Sequence, residues 1–159
     1  MLLLVPACSS GDDDSLEASA TECPDQTLGE GSTDLASKPV LVDSCGPAPD
    51  ELVVTDLVEG EGDVAEVGDP VTMQYVGVLY EDGTEFDASW ERGEPFEFTL
   101  GTGQVIAGWD EGIVGMREGG RRQLVIPPEL GYGDQGAGGA IPGGATLVFV
   151  VDLVEVAGA

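Results

Sequence analysis

From residue 52 to residue 156 the chain is a succession of short β-type runs separated by glycine-rich turns, with one helical interruption. Residues 71–79 (VTMQYVGVL) alternate apolar and polar side chains, the period of a strand with one buried face. Glu81-Asp82-Gly83-Thr84 then supplies an Asp-Gly hairpin turn, so residues 84–87 are predicted to pair back as a short strand. Further strands are predicted at 52–58 (LVVTDLV), 95–100 (PFEFTL), 121–126 (RRQLVI, stopped by Pro127-Pro128) and 146–156 (TLVFVVDLVEV). Residues 105–114 (VIAGWDEGIV) break this period. Ile106, Trp109, Ile113 and Val114 are spaced like one helix face, although Gly108 and Gly112 weaken that helix in isolation. An antiparallel sheet wrapped on one short helix, an α+β domain, is the expected architecture.

The residues before this domain have a different texture. The opening MLLLVPA is too short to cross a bilayer and reads as the end of a signal-peptide apolar region. Val5-Pro6-Ala7-Cys8 resembles a bacterial lipobox, in which Cys8 would be acylated and residues 1–8 would be the residual signal peptide and lipobox. No basic region precedes it, so the true start is expected upstream; an incidental Cys in a ragged terminus is the alternative. Acylation would place the domain outside the cytoplasm, on the outer face of the membrane, held by lipid alone. Residues 9–50 are acidic, rich in Ser, Gly, Asp and Thr, and without apolar period, the signature of a disordered linker. Cys23 and Cys45 are either a disulfide in an oxidising compartment or two reduced thiols. Asp12-Asp13-Asp14 lacks the alternating acids and central Gly of a calcium loop and reads as a solvated charge run.

Charge and composition exclude whole classes of function. With 31 acids against 5 bases the net charge is −26, which argues against nucleic acid as a partner. There is no His, and all three Cys precede residue 50. Residues 51–157 therefore hold no thiol nucleophile, no Cys/His zinc cluster and no Ser-His-Asp triad. The Gly-rich stretch around residue 138 lacks the Gly-Lys-Ser/Thr of a phosphate loop, and Gly101-Thr102-Gly103 lacks the dinucleotide spacing. Arg117, Arg121 and Arg122 read as a solvated strand edge.

Five blocks, taken together and in order, resemble the FKBP-type peptidyl-prolyl isomerases. They are Tyr75-Val76-Gly77, EDGTEFDAS, PFEFTLGTGQVIAGWDEGIVGM, RRQLVIPPELGYG and IPGGATLVFVVDL, collinear over the domain at 51–157. The resemblance implies a five- to six-stranded antiparallel half-barrel around the short helix, with a shallow apolar pocket between them. Its walls would be Tyr75, Phe86, Phe96, Val105, Ile106 and Phe149, with Trp109 as floor and Asp87, Tyr132 and Ile141 at the rim. Phe98, two residues from Phe96, reads as core packing instead. The pattern departs from the family at Leu130, where an aromatic is usual, and at Ala137 and Ala140, which are smaller than usual.

The chemistry so implied is rotation of Xaa-Pro bonds, which must cross a barrier of ~18–20 kcal/mol because twisting breaks amide resonance. No bond is cleaved, so the missing nucleophiles are not needed, and no cofactor or metal is expected. A dry aromatic pocket would favour the less polar twisted amide. The Tyr132 hydroxyl and the Ile106 backbone N–H would donate to substrate carbonyls. Asp87 would either act electrostatically on the twisting amide or serve as a structural partner of Arg92. Proline-containing polypeptides, macrolide inhibitors and a monomeric state complete the expectation, with folding of exported proteins as the role. A binding or chaperone module with lost turnover is the alternative, but the short turn at 80–84 leaves no room for an inserted flap.

Overall fold

Strands β1 (Val53–Val58), β2 (Pro70–Leu79), β3 (Glu85–Ala88), β4 (Phe96–Thr99), β5 (Arg121–Ile126) and β6 (Leu147–Val156) form one antiparallel sheet. The order is β1-β5-β6-β2-β3; β4 shares the outer edge of β2 with β3, on the Pro70–Met73 half. The computed structural model describes residues 34–41 and 46–158; Cys8, Cys23 and Cys45 lie outside them. β2 and β6 pair from Val71↔Val156 to Leu79↔Leu147, making the two long strands the spine of the sheet.

The strand period places Val71, Met73 and Tyr75 of β2, Leu124 and Ile126 of β5, and Leu147, Phe149, Val151 and Leu153 of β6 in one apolar cluster. Most of these side chains are wholly buried, each worth roughly 1.5–3 kcal/mol of transfer free energy. The sheet packs them against Trp109 and Ile113 from helix α2 (Ala107–Gly112) and its C-terminal end. The two glycines that weaken this helix explain how it fits. A Cβ at Gly108 would lie 2.6 Å from the Ile126 side chain, and one at Gly112 2.7 Å from Leu124. Both positions must be bare for α2 to sit this close to β5.

The structure departs from the sequence reading in several places. The helix is shorter than the predicted 105–114, and Val114 is 38% exposed rather than on its apolar face. A second helical turn, α1 (Ser89–Arg92), follows β3 directly. Arg121 and Arg122 are not a solvated edge. Arg121 is fully buried and paired with Asp152 through two bonds, Nε–Oδ1 at 2.5 Å and Nη2–Oδ2 at 2.7 Å. Burial raises the Asp152 carboxyl above its usual range even beside that guanidinium. Arg122 donates to Asp56 on β1 and to the carbonyl of Gly112, so it ties the edge strand to the C-terminal end of α2. Finally, residues 34–41, read as part of a disordered linker, lie against the domain: Pro39 is buried and Leu41 packs on a second apolar cluster.

Candidate functional site

Between α2 and the concave face of the sheet lies a cavity of about 700 Å³. All ten residues assigned to the site from the sequence line it: Tyr75, Phe86, Asp87, Phe96, Val105, Ile106, Trp109, Tyr132, Ile141 and Phe149. Phe98 stays behind the wall, 5% exposed and 5.7 Å from Trp109. The floor is a set of edge-on rings. Trp109 meets Tyr75 at 5.0 Å and Phe149 at 5.2 Å, and Phe86 meets Phe149 at 5.4 Å. Gly77 makes room for the last pair, since a Cβ there would sit 2.6 Å from both rings. Ala137, Gly138 and Ala140 form the far lip, with Ala137 and Ile141 exchanging backbone hydrogen bonds across the loop.

Polar groups are few and lie at the rim. The Tyr75 hydroxyl donates to Asp87 Oδ2 at 2.5 Å, Arg92 Nη2 donates to the Tyr75 hydroxyl at 2.7 Å, and Arg92 Nη1 donates to Asp87 Oδ1 at 2.7 Å. The guanidinium carbon also stands 5.5 Å from the Tyr75 ring centroid. Asp87 is thus held in a closed three-residue network while still facing the cavity; the ion pair with Arg92, one of the two alternatives raised for it, is formed. Burial and the Asp87 carboxylate both push the Tyr75 phenol above its ordinary value. Tyr132 is likewise raised, first by burial and then by Asp87. Tyr132 is 40% exposed and its hydroxyl makes no hydrogen bond to another described residue, and neither does the Ile106 N–H.

The sequence model of the FKBP-type peptidyl-prolyl cis-trans isomerases matches residues 62–154. A protein of Streptomyces anulatus named FK506-binding protein is 56% identical over 112 residues, covering 70% of this chain and 90% of its own length. The chain belongs to the FKBP-type peptidyl-prolyl cis-trans isomerases. The peptidyl-prolyl cis-trans isomerase FKBP2 of Mus musculus is 62% identical over 89 residues, 56% of this isomerase and 63% of the mouse protein. Among solved structures, AtFKBP13 aligns with a TM-score of 0.64 and 40% identity, covering 69% of this chain and 96% of that one.

Two side chains that the sequence reading passed over shape this isomerase's cavity. Asp110, in the first turn of α2, accepts from Gly101 N through Oδ1 at 2.8 Å and from Gly103 N through Oδ2 at 3.0 Å. Gln104 Oε1 accepts from Thr99 N at 3.0 Å. Together they pin the loop between β4 and α2, which delivers Val105 and Ile106 to the wall. An acid seven residues after a Gly-Thr-Gly bend was the available signal, and it is a weak one. Asp110→Asn keeps one acceptor and loses the other, so it should cost about 1 kcal/mol of loop stabilisation. The expected result is a several-fold rise in KM with little change in kcat; an unchanged KM would remove Asp110 from this role.

Proposed function

We propose that this isomerase rotates Xaa-Pro bonds of exported polypeptides outside the cytoplasm, as a monomer tethered by an acylated Cys8. The single observation that carries the catalytic part is the aromatic cavity, floored by Trp109 and polar only at its rim. A prolyl ring fits such a space. The planar amide, which water solvates well, loses that solvation there, whereas the twisted amide loses less. In this reading the Tyr132 hydroxyl and the Ile106 N–H donate to substrate carbonyls on either side of the rotating bond, a role supported by their position on the cavity lining and by their freedom from other hydrogen-bond partners among the described residues. Asp87, fixed by Tyr75 and Arg92, sets a carboxylate at the rim without being consumed. Macrolides of the FK506 class, after which relatives are named, are proposed to fill the same cavity. The Val-Pro-Ala-Cys motif supports export and the tether.

The test is isomerisation of a short Xaa-Pro peptide by the full chain, with and without FK506. Tyr132→Phe removes one donor and should lower kcat/KM by about three- to tenfold, the weight of one hydrogen bond. Because the Tyr75 and Tyr132 phenols are raised, both keep their protons through moderately alkaline pH. Stability from a raised group is complete below its unfolded value, about pH 10 for tyrosine, and is lost as pH rises through the folded value. Activity should therefore hold on the alkaline side to about pH 10 and then fall together with stability. A folded chain with no rate above the spontaneous one would overturn the proposal. Loss of membrane partitioning in Cys8→Ser is the expected result for the tether.

A further inference from the structure

The face of the sheet turned away from the cavity is itself apolar. Val76 and Val78 of β2, Val125 of β5, and Val148 and Val150 of β6 are all 5% exposed or less. An antiparallel sheet with one face on the core ordinarily turns polar residues outward on the other. Here residues 34–41, together with Trp90, cover it. Pro39 is buried, and Leu41 and Trp90 pack on the valine cluster. The Ser37 carbonyl accepts from Arg121 Nη2 at 3.0 Å, over the buried Arg121–Asp152 pair. Lys38 Nζ reaches Glu85 at 2.8 Å and Glu91 at 3.0 Å. Farther along, the Tyr80 hydroxyl donates to the Pro47 carbonyl at 3.3 Å.

The Lys38 contacts fall on the least self-sufficient part of the domain. Strand β3 has four residues on the edge of the sheet and shifts register against β2 between Gly77 and Val78. Helix α1 is a single turn with no side-chain cap, far below the length that is stable alone. Yet this segment supplies Phe86 and Asp87 to the cavity and Arg92 to the rim network. Glu85 and Glu91 bracket it, and the only lysine of a chain with net charge −26 bridges the two. The two carboxylates outweigh burial and keep the Lys38 ammonium above its ordinary value, so it stays charged.

We propose that residues 34–41 are a strap belonging to the folded enzyme, and that Lys38 is a positioning residue which holds segment 85–92, and with it Asp87 and Arg92, against the sheet. The functional part of this inference rests on the isomerase reading of the cavity. The domain then begins functionally near residue 34 rather than at 51, and a fragment cut just before β1 loses both the cover of the outer face and the brace behind the rim.

The test uses the full chain with Lys38→Met, Lys38→Arg and Leu41→Asp. Amide hydrogen exchange over residues 85–92 and peptide isomerisation are both measured. Lys38→Met is expected to speed exchange there about two- to fivefold, the scale of partly exposed ion pairs. Leu41→Asp, which sets a charge against the valine cluster, should speed it about tenfold or more. Lys38→Arg should restore near wild-type protection. A matching fall in kcat/KM, carried by KM, is expected in the first two variants. Wild-type exchange in both Lys38→Met and Leu41→Asp would overturn the strap. If the wild-type chain proves inactive, the isomerase reading fails while the exchange data still decide the strap.

Discussion

Trp109→Ala is expected to lower unfolding free energy by about 3–5 kcal/mol and to abolish isomerisation. The indole is 4% exposed and meets Tyr75, Phe96, Phe98 and Phe149, all within 6.1 Å between ring centroids. Truncating it removes the cavity floor and the apex of the core at once. Domains of this size have only about 5–15 kcal/mol in hand, so the variant should be partly unfolded at moderate temperature. Trp109→Leu separates the two roles. It refills part of the volume and should recover a good share of the stability, measured by denaturant midpoint, while kcat/KM stays low because the aromatic floor is gone. Wild-type kcat/KM in a folded Trp109→Leu would show that the floor takes no part in rotation.

Arg121→Met should be nearly as damaging, by a different route. It leaves Asp152, 5% exposed, without its guanidinium partner. Breaking one side of a buried pair typically costs about 3–5 kcal/mol, because the remaining charge is neither solvated nor compensated. The double variant Arg121→Met with Asp152→Leu removes both charges and should recover most of the loss. Thermal or denaturant unfolding of the two variants makes the comparison. A double variant no better than the single one would mean that Arg121 acts mainly through Ser37 and the strap rather than through Asp152.

The strands were legible because their signals are local. Alternation in 71–79, the Asp-Gly turn and the Pro127-Pro128 stop each follow from neighbouring residues, and the sheet places strands within a residue or two of the predictions. The cavity residues were legible for another reason. They lie in blocks shared with a known family, and the structure brings all of them to one concavity. Asp110, Gln104 and Lys38 were not legible in this way. Gln104 and Asp110 accept from amides five to nine residues away, a local signal too weak to read, whereas Lys38 acts on groups that only the fold brings near, Glu85 and Glu91, 47 and 53 residues away. The helix ends were also missed, since α2 is shaped by how closely it must approach Ile126 and Leu124 rather than by its own propensity.

The bond-rotating chemistry was implied by blocks shared with a known family; by itself the sequence determined the β-rich α+β class and the absence of His and of a domain thiol. Those conclusions need only residue types and short-range order. Tertiary structure alone decided the fate of the charges. Arg121 and Arg122 look like a solvated edge in one dimension. In three dimensions, one is buried opposite Asp152 beneath the strap, and the other binds the end of α2 to β1. An acidic, period-free stretch looks like linker until an apolar outer face has to be covered. The physical reason is the same in both cases. Burial depends on which surface another part of the chain removes from water, and that surface is created only when the sheet has formed.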